Sequence, residues 1–159
     1  MNWDAATDII LGAAFLSLAI FIVLGFYQLC TRRSIKKVDK TILFMLVPLL
    51  LMLVTYVLFD KIFILNTRPN GSGEPSFPST HVMVVGTIFS IIAIALPKYL
   101  HGSKIYVLLD FIMAALLALV CTGRVLSNMH WLSDVIGGLA FGAVFGLIYY
   151  LILKGVKHE

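Results

Sequence analysis

The sequence predicts an all-α polytopic membrane protein, a bundle of five transmembrane helices with the N-terminus outside and the C-terminus cytoplasmic. Composition, five long apolar runs and the placement of the basic residues carry that expectation. Of 159 residues, 60% are hydrophobic and 13% charged, and the mean hydropathy is +1.01. That balance suits lipid as the surrounding solvent rather than water. The runs, about residues 9–30, 41–59, 81–97, 105–121 and 134–153, lie near the roughly 17–25 residues that cross a hydrocarbon core as a helix. They make residues 1–159 one transmembrane domain, with no internal repeat, low-complexity tract or linker.

The first run, Ile9–Cys30, is preceded by Asp4 and Asp8 and by no Lys or Arg. A cleaved signal peptide starts basic, so this helix is expected to stay in the mature protein. The second, Thr41–Phe59, holds Pro48, which can kink it. The third, Val82–Leu96 at its apolar core, is short, and its polar first turn fits a place against protein or a water-filled cavity. Ser79 or Thr80 can cap it after Pro78, and Pro97 is expected to close it. The fourth, Ile105–Cys121, carries Asp110, read as pairing with Lys104 or a neighbouring helix rather than serving a proton path. The fifth is Val135–Leu153. Trp3, Trp131, Tyr99, Tyr149 and Tyr150 fall near span ends, as amphipathic rings do at membrane interfaces. Cys30 and Cys121 close spans on opposite sides, roughly a bilayer thickness apart, too far for a disulfide.

The formal net charge of +4 does not point to nucleic acid, because the basic residues follow membrane sidedness. Arg32, Arg33, Lys36, Lys37 and Lys40 lie between the first two runs, Lys98 and Lys104 between the third and fourth, and Lys154 and Lys157 after the fifth. The positive-inside rule makes these loops cytoplasmic, with His101 and His158 solvated on the same side. The run from Arg32 to Lys40 also suits anionic headgroups. Lys61, Arg68 and Arg124 stand against the bias, in the two loops of the opposite face.

On that face the polar residues gather into three segments: Lys61 with Arg68 and Pro69, then Pro78-Ser79-Thr80-His81, then Arg124 with His130 and Asp134. Between the first two lies a loop rich in breakers, Asn66 to Pro78, with Glu74 read as solvating it rather than shaping the pocket. Two Arg and one Lys form a cage of donors suited to phosphate oxygens. The start of the third helix adds free N–H groups and the positive end of its dipole around Ser79 and Thr80. Two histidines beside such a cage fit covalent phosphoryl transfer, one attacking phosphorus and one protonating the leaving oxygen. His130 and Asp134 are four apart, so on a helix start the carboxylate can hold one ring nitrogen and leave the other to attack. His81, with no acid at helical spacing, suits the proton donor. Taken singly, each cation reads as an interfacial anchor and each histidine as a structural group; a metal site of His81, His130 and Asp134 is disfavoured by the three nearby cations.

These segments resemble the type 2 phosphatidic acid phosphatase superfamily, which also includes bacterial acid phosphatases, glucose-6-phosphatase and vanadium haloperoxidases. The family's signatures run Lys, six residues, Arg-Pro; Pro-Ser-Gly-His; and Ser-Arg, five residues, His, three residues, Asp. Lys61 to Pro69, Pro78 to His81 and Gly123 to Asp134 match them in order and spacing over the second to fifth runs. The resemblance implies that Lys61, Arg68 and Arg124 bind phosphate with help from Ser79 and the adjoining backbone. It also implies that His81 is the acid, that Asp134 supports nucleophilic His130, and that neither metal nor cofactor is needed. Thr80 stands where the family usually has Gly, and Gly123 where it usually has Ser. Membrane members commonly have six spans; five are expected here, with the missing one at the start.

The expected partner is a lipid-linked phosphate or diphosphate, in a bacterial plasma membrane with the site facing the extracytoplasmic side. A polyprenyl carrier such as undecaprenyl diphosphate leads, because small family members with an outer-facing site often recycle it. Phosphatidic acid, phosphatidylglycerol phosphate and lipid A phosphate are the alternatives. A non-enzymatic lipid-phosphate binding or transport protein is the reading of another class, and the oriented His130–Asp134 pair argues against it.

Overall fold

The computed structural model describes residues 2–156, so Lys157 and His158 lie outside the described residues. Helix α1, Trp3–Arg32, starts where the Asn2 side chain accepts from Ala5 N at 3.3 Å, satisfying one of the free N–H groups of its first turn. It stops at Arg33, whose left-handed φ of 51° returns its N–H to Leu29 O. After a 3₁₀ turn at Ile35–Lys37, Asp39 caps α2, Lys40–Leu43, by accepting from Thr41 N at 3.0 Å. The second span then breaks before α3, Leu46–Val57. The break at Phe44 and Met45 falls one turn before Pro48, which has no N–H to offer the Phe44 carbonyl and crowds it. A π-helical turn, Leu58–Ile62, ends this span.

Helices α4, Thr80–Tyr99, α5, Ile105–Leu126, and α6, Leu132–Val156, complete the five spans. Pro97 does not close α4 as expected; it lies within the last turn, and the helix runs two residues further. Hydropathy ends the fourth run at Cys121, but α5 continues past it through Arg124 to Leu126, because this polar turn is held by protein.

Helix α4 is the centre of the bundle. Val82, Met83, Val85, Ile88 and Ile91 are fully buried, and α1, α3, α5 and α6 all pack on it. Its tightest neighbour is α6, which presents Gly138, Gly142 and Gly146 one turn apart. A Cβ at Gly142 would stand 3.1 Å from the Gly86 carbonyl carbon, and one at Gly146 2.7 Å from Ser90 Cβ. This small-residue stripe brings two backbones together as lipid-embedded helices require, since apolar burial alone does not distinguish protein from lipid. The outward faces are apolar, with Leu16 on α1 70% and Phe111 on α5 72% exposed, a belt that makes this an integral membrane protein.

Side-chain contacts define the two ends of the bundle. At the basic end, Gln28 Oε1 accepts from Asp39 N at 2.8 Å, Asp39 pairs with Lys98, and Tyr99 Oη donates to Asp39 at 2.8 Å. Tyr149, expected at the interface, is instead fully buried there, its hydroxyl donating to Thr41 O at 2.7 Å. Tyr150 and Trp131 are about half exposed, as interfacial rings are. Asp110 does not pair with Lys104: its Oδ1 is buried with no hydrogen-bond partner among the described residues. Cys30 and Cys121 are free thiols. The opposite end gathers the start of α1, the 63–79 loop, the end of α5 and the start of α6.

Candidate active site

The 63–79 loop folds back on itself before it enters α4. Ser76 N donates to Asn66 O at 2.9 Å and Arg68 N to Glu74 O at 3.0 Å. Gly71 and Gly73 turn the tip at φ of 79° and 75°, where a side chain would be strained. This brings Ser76 down against the start of α6. Asp134, fully buried, accepts there from the Ser76 hydroxyl and from Trp131 N at 2.8 Å, while its own backbone carbonyl accepts from Ser79 N at 2.9 Å. One residue therefore ties the loop, the α4 start and the α6 start together.

His130 sits in the turn between α5 and α6, its backbone N–H donating to Arg124 O at 3.2 Å and its side chain 4% exposed. Its Nδ1 lies 2.8 Å from the carbonyl oxygen of Ser76 and 3.8 Å from Asp134 Oδ2. A carbonyl only accepts, so Nδ1 carries the proton and Nε2 keeps its lone pair. The carboxylate was expected to hold this ring directly; the backbone of Ser76 does so, and Asp134 holds Ser76. Burial, reinforced by the charges of Arg124 and Arg68, pushes the His130 imidazole down to about 4, against the opposing pull of the Ser76 carbonyl and Asp134. The ring is neutral at physiological pH.

The cations surround it unequally. Arg124, 3% exposed, donates through Nη1 to Asp4 Oδ1 at 2.5 Å and to Thr7 Oγ1 at 3.3 Å, both on α1. Arg68 pairs with Glu74 at 2.8 Å and reaches towards Met129 Sδ at 3.8 Å, next to His130. Glu74 thus does more than solvate its loop. His81 Nε2 lies 2.8 Å from Asp8 Oδ1. Ser79 caps α4 without a side-chain cap bond, and its Oγ and the Arg124 Nε are buried polar atoms with no partner among the described residues.

Two candidates stand apart. Lys61 pairs, among the described residues, only with Asp60, at 2.6 Å, and its side chain is 71% exposed. Phe59 turns inward against Phe77 and Phe141, and Lys61, two residues on, falls close to the opposite side of the helix. Thr80 lines a small crevice with Asp60, Ser76 and Pro78, and none of the polar contacts around His130 reaches it. Among the described residues no group of three His, Cys, Asp or Glu gathers as metal ligands, so His81, His130 and Asp134 do not meet in that way.

Residues 42–157 match the PAP2 superfamily. The chain belongs to that superfamily. It is similar to lipid A 1-phosphatase of Rhizobium johnstonii, 38% identical over 81 residues, 51% of this chain and 29% of that protein. It is also similar to phosphatidylglycerophosphatase B of Bacillus subtilis, 32% identical over 85 residues, 53% of this chain and 40% of that one. The matched segments thus span less than half of these relatives. The crystal structure of the first transmembrane PAP2 type phosphatidylglycerolphosphate phosphatase from Bacillus subtilis shares the fold. Its TM-score is 0.65 at 22% identity, over 99% of this chain and 83% of that one.

The departure from the PAP2 pattern at Gly123 has a structural reason. A Cβ there would lie 2.6 Å from Thr7 Cγ2, and Thr7 Oγ1 meets the same arginine that follows Gly123. The first helix thus fills the space of a side chain at 123 and brings a hydroxyl to Arg124. Sequence reasoning did not place Thr7, Asp4, Asp8 or Ser76 in the site. Asp4 and Asp8 carried a readable signal, two carboxylates one helical turn apart at the start of a membrane span. Ser76 orients His130 through its backbone carbonyl, and the hydroxyl that fixes Ser76 binds Asp134 far along the chain, so no local pattern reveals it.

Proposed function

We propose that this chain is a lipid phosphatase, hydrolysing a phosphate or diphosphate on a membrane-embedded lipid without metal. The observation that carries the reading is His130 itself: a buried, neutral imidazole with Nδ1 donating to Ser76 O and a free Nε2, beside two arginines. Simple anion binding would favour a charged ring. A nucleophile needs a lone pair, and this one has it at neutral pH.

In the proposed reaction, His130 Nε2 attacks phosphorus, the P–N bond forms and the P–O bond to the lipid breaks. His81 gives its proton to the departing oxygen. Arg124 and Arg68 stabilise charge on the transferring phosphoryl, and phosphate oxygens give Ser79 Oγ–H and Arg124 Nε–H the acceptors that the protein does not supply. Water, deprotonated by His81, then attacks the phosphohistidine, releases inorganic phosphate and restores both histidines. The acyl or prenyl chain stays among lipid while the headgroup meets the helix ends. The positive-inside bias of Arg32 to Lys40, Lys98, Lys104 and Lys154 supports an extracytoplasmic site in a bacterial plasma membrane.

For substrate we favour a polyprenyl diphosphate such as undecaprenyl diphosphate. A second reading, a phosphomonoester on phosphatidylglycerol phosphate or lipid A, is favoured by the names of the two curated relatives. Phosphate release by the detergent-solubilised protein from a panel of these lipids and phosphatidic acid is the test. The wild type should release phosphate and His130→Ala should not. Binding of the lipids without release would establish a carrier instead, and full activity in His130→Ala would overturn the mechanism.

A further inference from the structure

Helix α1 begins ahead of the PAP2-matched segment, residues 42–157, yet its first two turns reach the site. Asp4, Thr7 and Asp8 share one face at helical spacing. Asp4 and Thr7 receive the Arg124 Nη1, and Asp8 Oδ1 lies 2.8 Å from His81 Nε2. The absence of a side chain at Gly123 lets Thr7 pack fully buried against α5, which fixes the height of the helix and so the reach of Asp8.

We propose that Asp8 is the positioning residue of His81, holding its Nε2 through the carboxylate so that Nδ1 faces the chemistry as the proton-carrying atom. This rests on the reading of His81 as the proton donor to the leaving oxygen. A carboxylate only accepts, so the proton on Nε2 is fixed in place, and the second proton taken by the ring sits on Nδ1. That second proton is the one transferred. A carboxylate partner also favours the charged ring. The groups that face His81 are Asp8 and Asp4 from α1 and Arg124 from α5. Burial and the Arg124 charge both oppose protonation of the ring, and the two carboxylates act against them. A general acid beside a phosphate-binding arginine needs such a counterweight, and the sequence places none on the helix of His81 itself.

The test uses the full chain in detergent, as wild type, Asp8→Asn and Asp8→Glu. Asp8 is 60% exposed, so the near-isosteric Asn leaves packing intact. With ¹⁵N-histidine labelling and His81→Asn to assign the signal, NMR should show His81 taking its second proton about one pH unit lower in Asp8→Asn, with Asp8→Glu near wild type. On the lipid that the wild type hydrolyses best, the alkaline limb of kcat should move down by a similar interval. At pH 8 that is about a tenfold loss in kcat with KM little changed. An unshifted His81 titration in Asp8→Asn overturns the proposal whether or not any lipid is turned over. A wild type that releases no phosphate, with the titration shifted as stated, overturns the phosphatase reading and leaves the Asp8–His81 pairing standing. A loss in kcat equal at every pH would make Asp8 merely structural and overturn its role on the proton.

Discussion

His130 Nδ1 lies 2.8 Å from the Ser76 carbonyl and 3.8 Å from the Asp134 carboxylate, so the ring is oriented by a backbone group that the carboxylate in turn positions. Asp134→Asn separates these roles. The amide oxygen of Asn can accept, as Oδ2 does, from both the Ser76 hydroxyl and Trp131 N, but without the charge, and its NH2 takes the place of the oxygen that accepts from the Ser133 hydroxyl. Loss of charge-assisted bonds in a buried site should cost about 1.5–3 kcal/mol, visible as a lower thermal midpoint. The His130 tautomer should survive, because its acceptor belongs to Ser76. Nitrogen NMR of the variant should still show the proton on Nδ1; a proton moved to Nε2 would return the carboxylate to direct control of the ring.

The depressed His130 imidazole gives pH dependences of known sign. Its folded value, about 4, lies below the ordinary 6.5, so between these the unfolded chain binds the extra proton and the folded chain does not. The contribution to stability is complete above about pH 6.5, declines as pH falls towards 4 and is fully lost below that. His130→Gln should remove this part of the pH dependence of unfolding. The acid limb of kcat/KM should likewise fall near pH 4, where the nucleophile gains its proton. An acid limb near the ordinary 6.5 would contradict the neutral buried ring.

The spans were legible because an apolar run in lipid announces itself, and the three polar segments because their spacings are fixed along the chain. Helix ends were less so. Hydropathy cannot see that Arg124 remains helical, since what satisfies it is Asp4, 120 residues away. Asp8 and His81 are 73 residues apart, and no local pattern joins them. Lys61 matched its signature, but its outward direction follows from Phe59 packing inward against Phe77 and Phe141, which the spacing does not show. The Gly138, Gly142 and Gly146 stripe was open to reading from its four-residue spacing, as a helix face made for close backbone approach.

Gly123 and Thr7 should behave as a coupled pair. Gly123→Ala puts a methyl 2.6 Å from Thr7 Cγ2, on a β-branched, fully buried side chain with little freedom to move. Overpacking of this kind costs about 1–3 kcal/mol. Thr7→Ser deletes that methyl and keeps the hydroxyl that meets Arg124, so the double variant should recover most of the thermal midpoint lost by Gly123→Ala alone. Additive losses in the two single variants would mean that α1 does not pack on α5 at this point.

Lys61 and Arg124 should differ in what they contribute to the substrate. Arg124 is 3% exposed and anchored by Asp4, so its charge acts in a low-dielectric setting without the cost of ordering a long side chain on binding. Lys61 is 71% exposed and held by Asp60 in water, where a single attraction of this kind is weak and screened by salt. Arg124→Ala should therefore lower kcat/KM by orders of magnitude. Lys61→Ala should lower it about fivefold or less, through KM and with a dependence on salt that Arg124→Ala lacks. Steady-state kinetics of both variants at low and high ionic strength separate the cases. Equal, salt-insensitive losses would show that Lys61 leaves Asp60 and enters the pocket when the lipid phosphate binds.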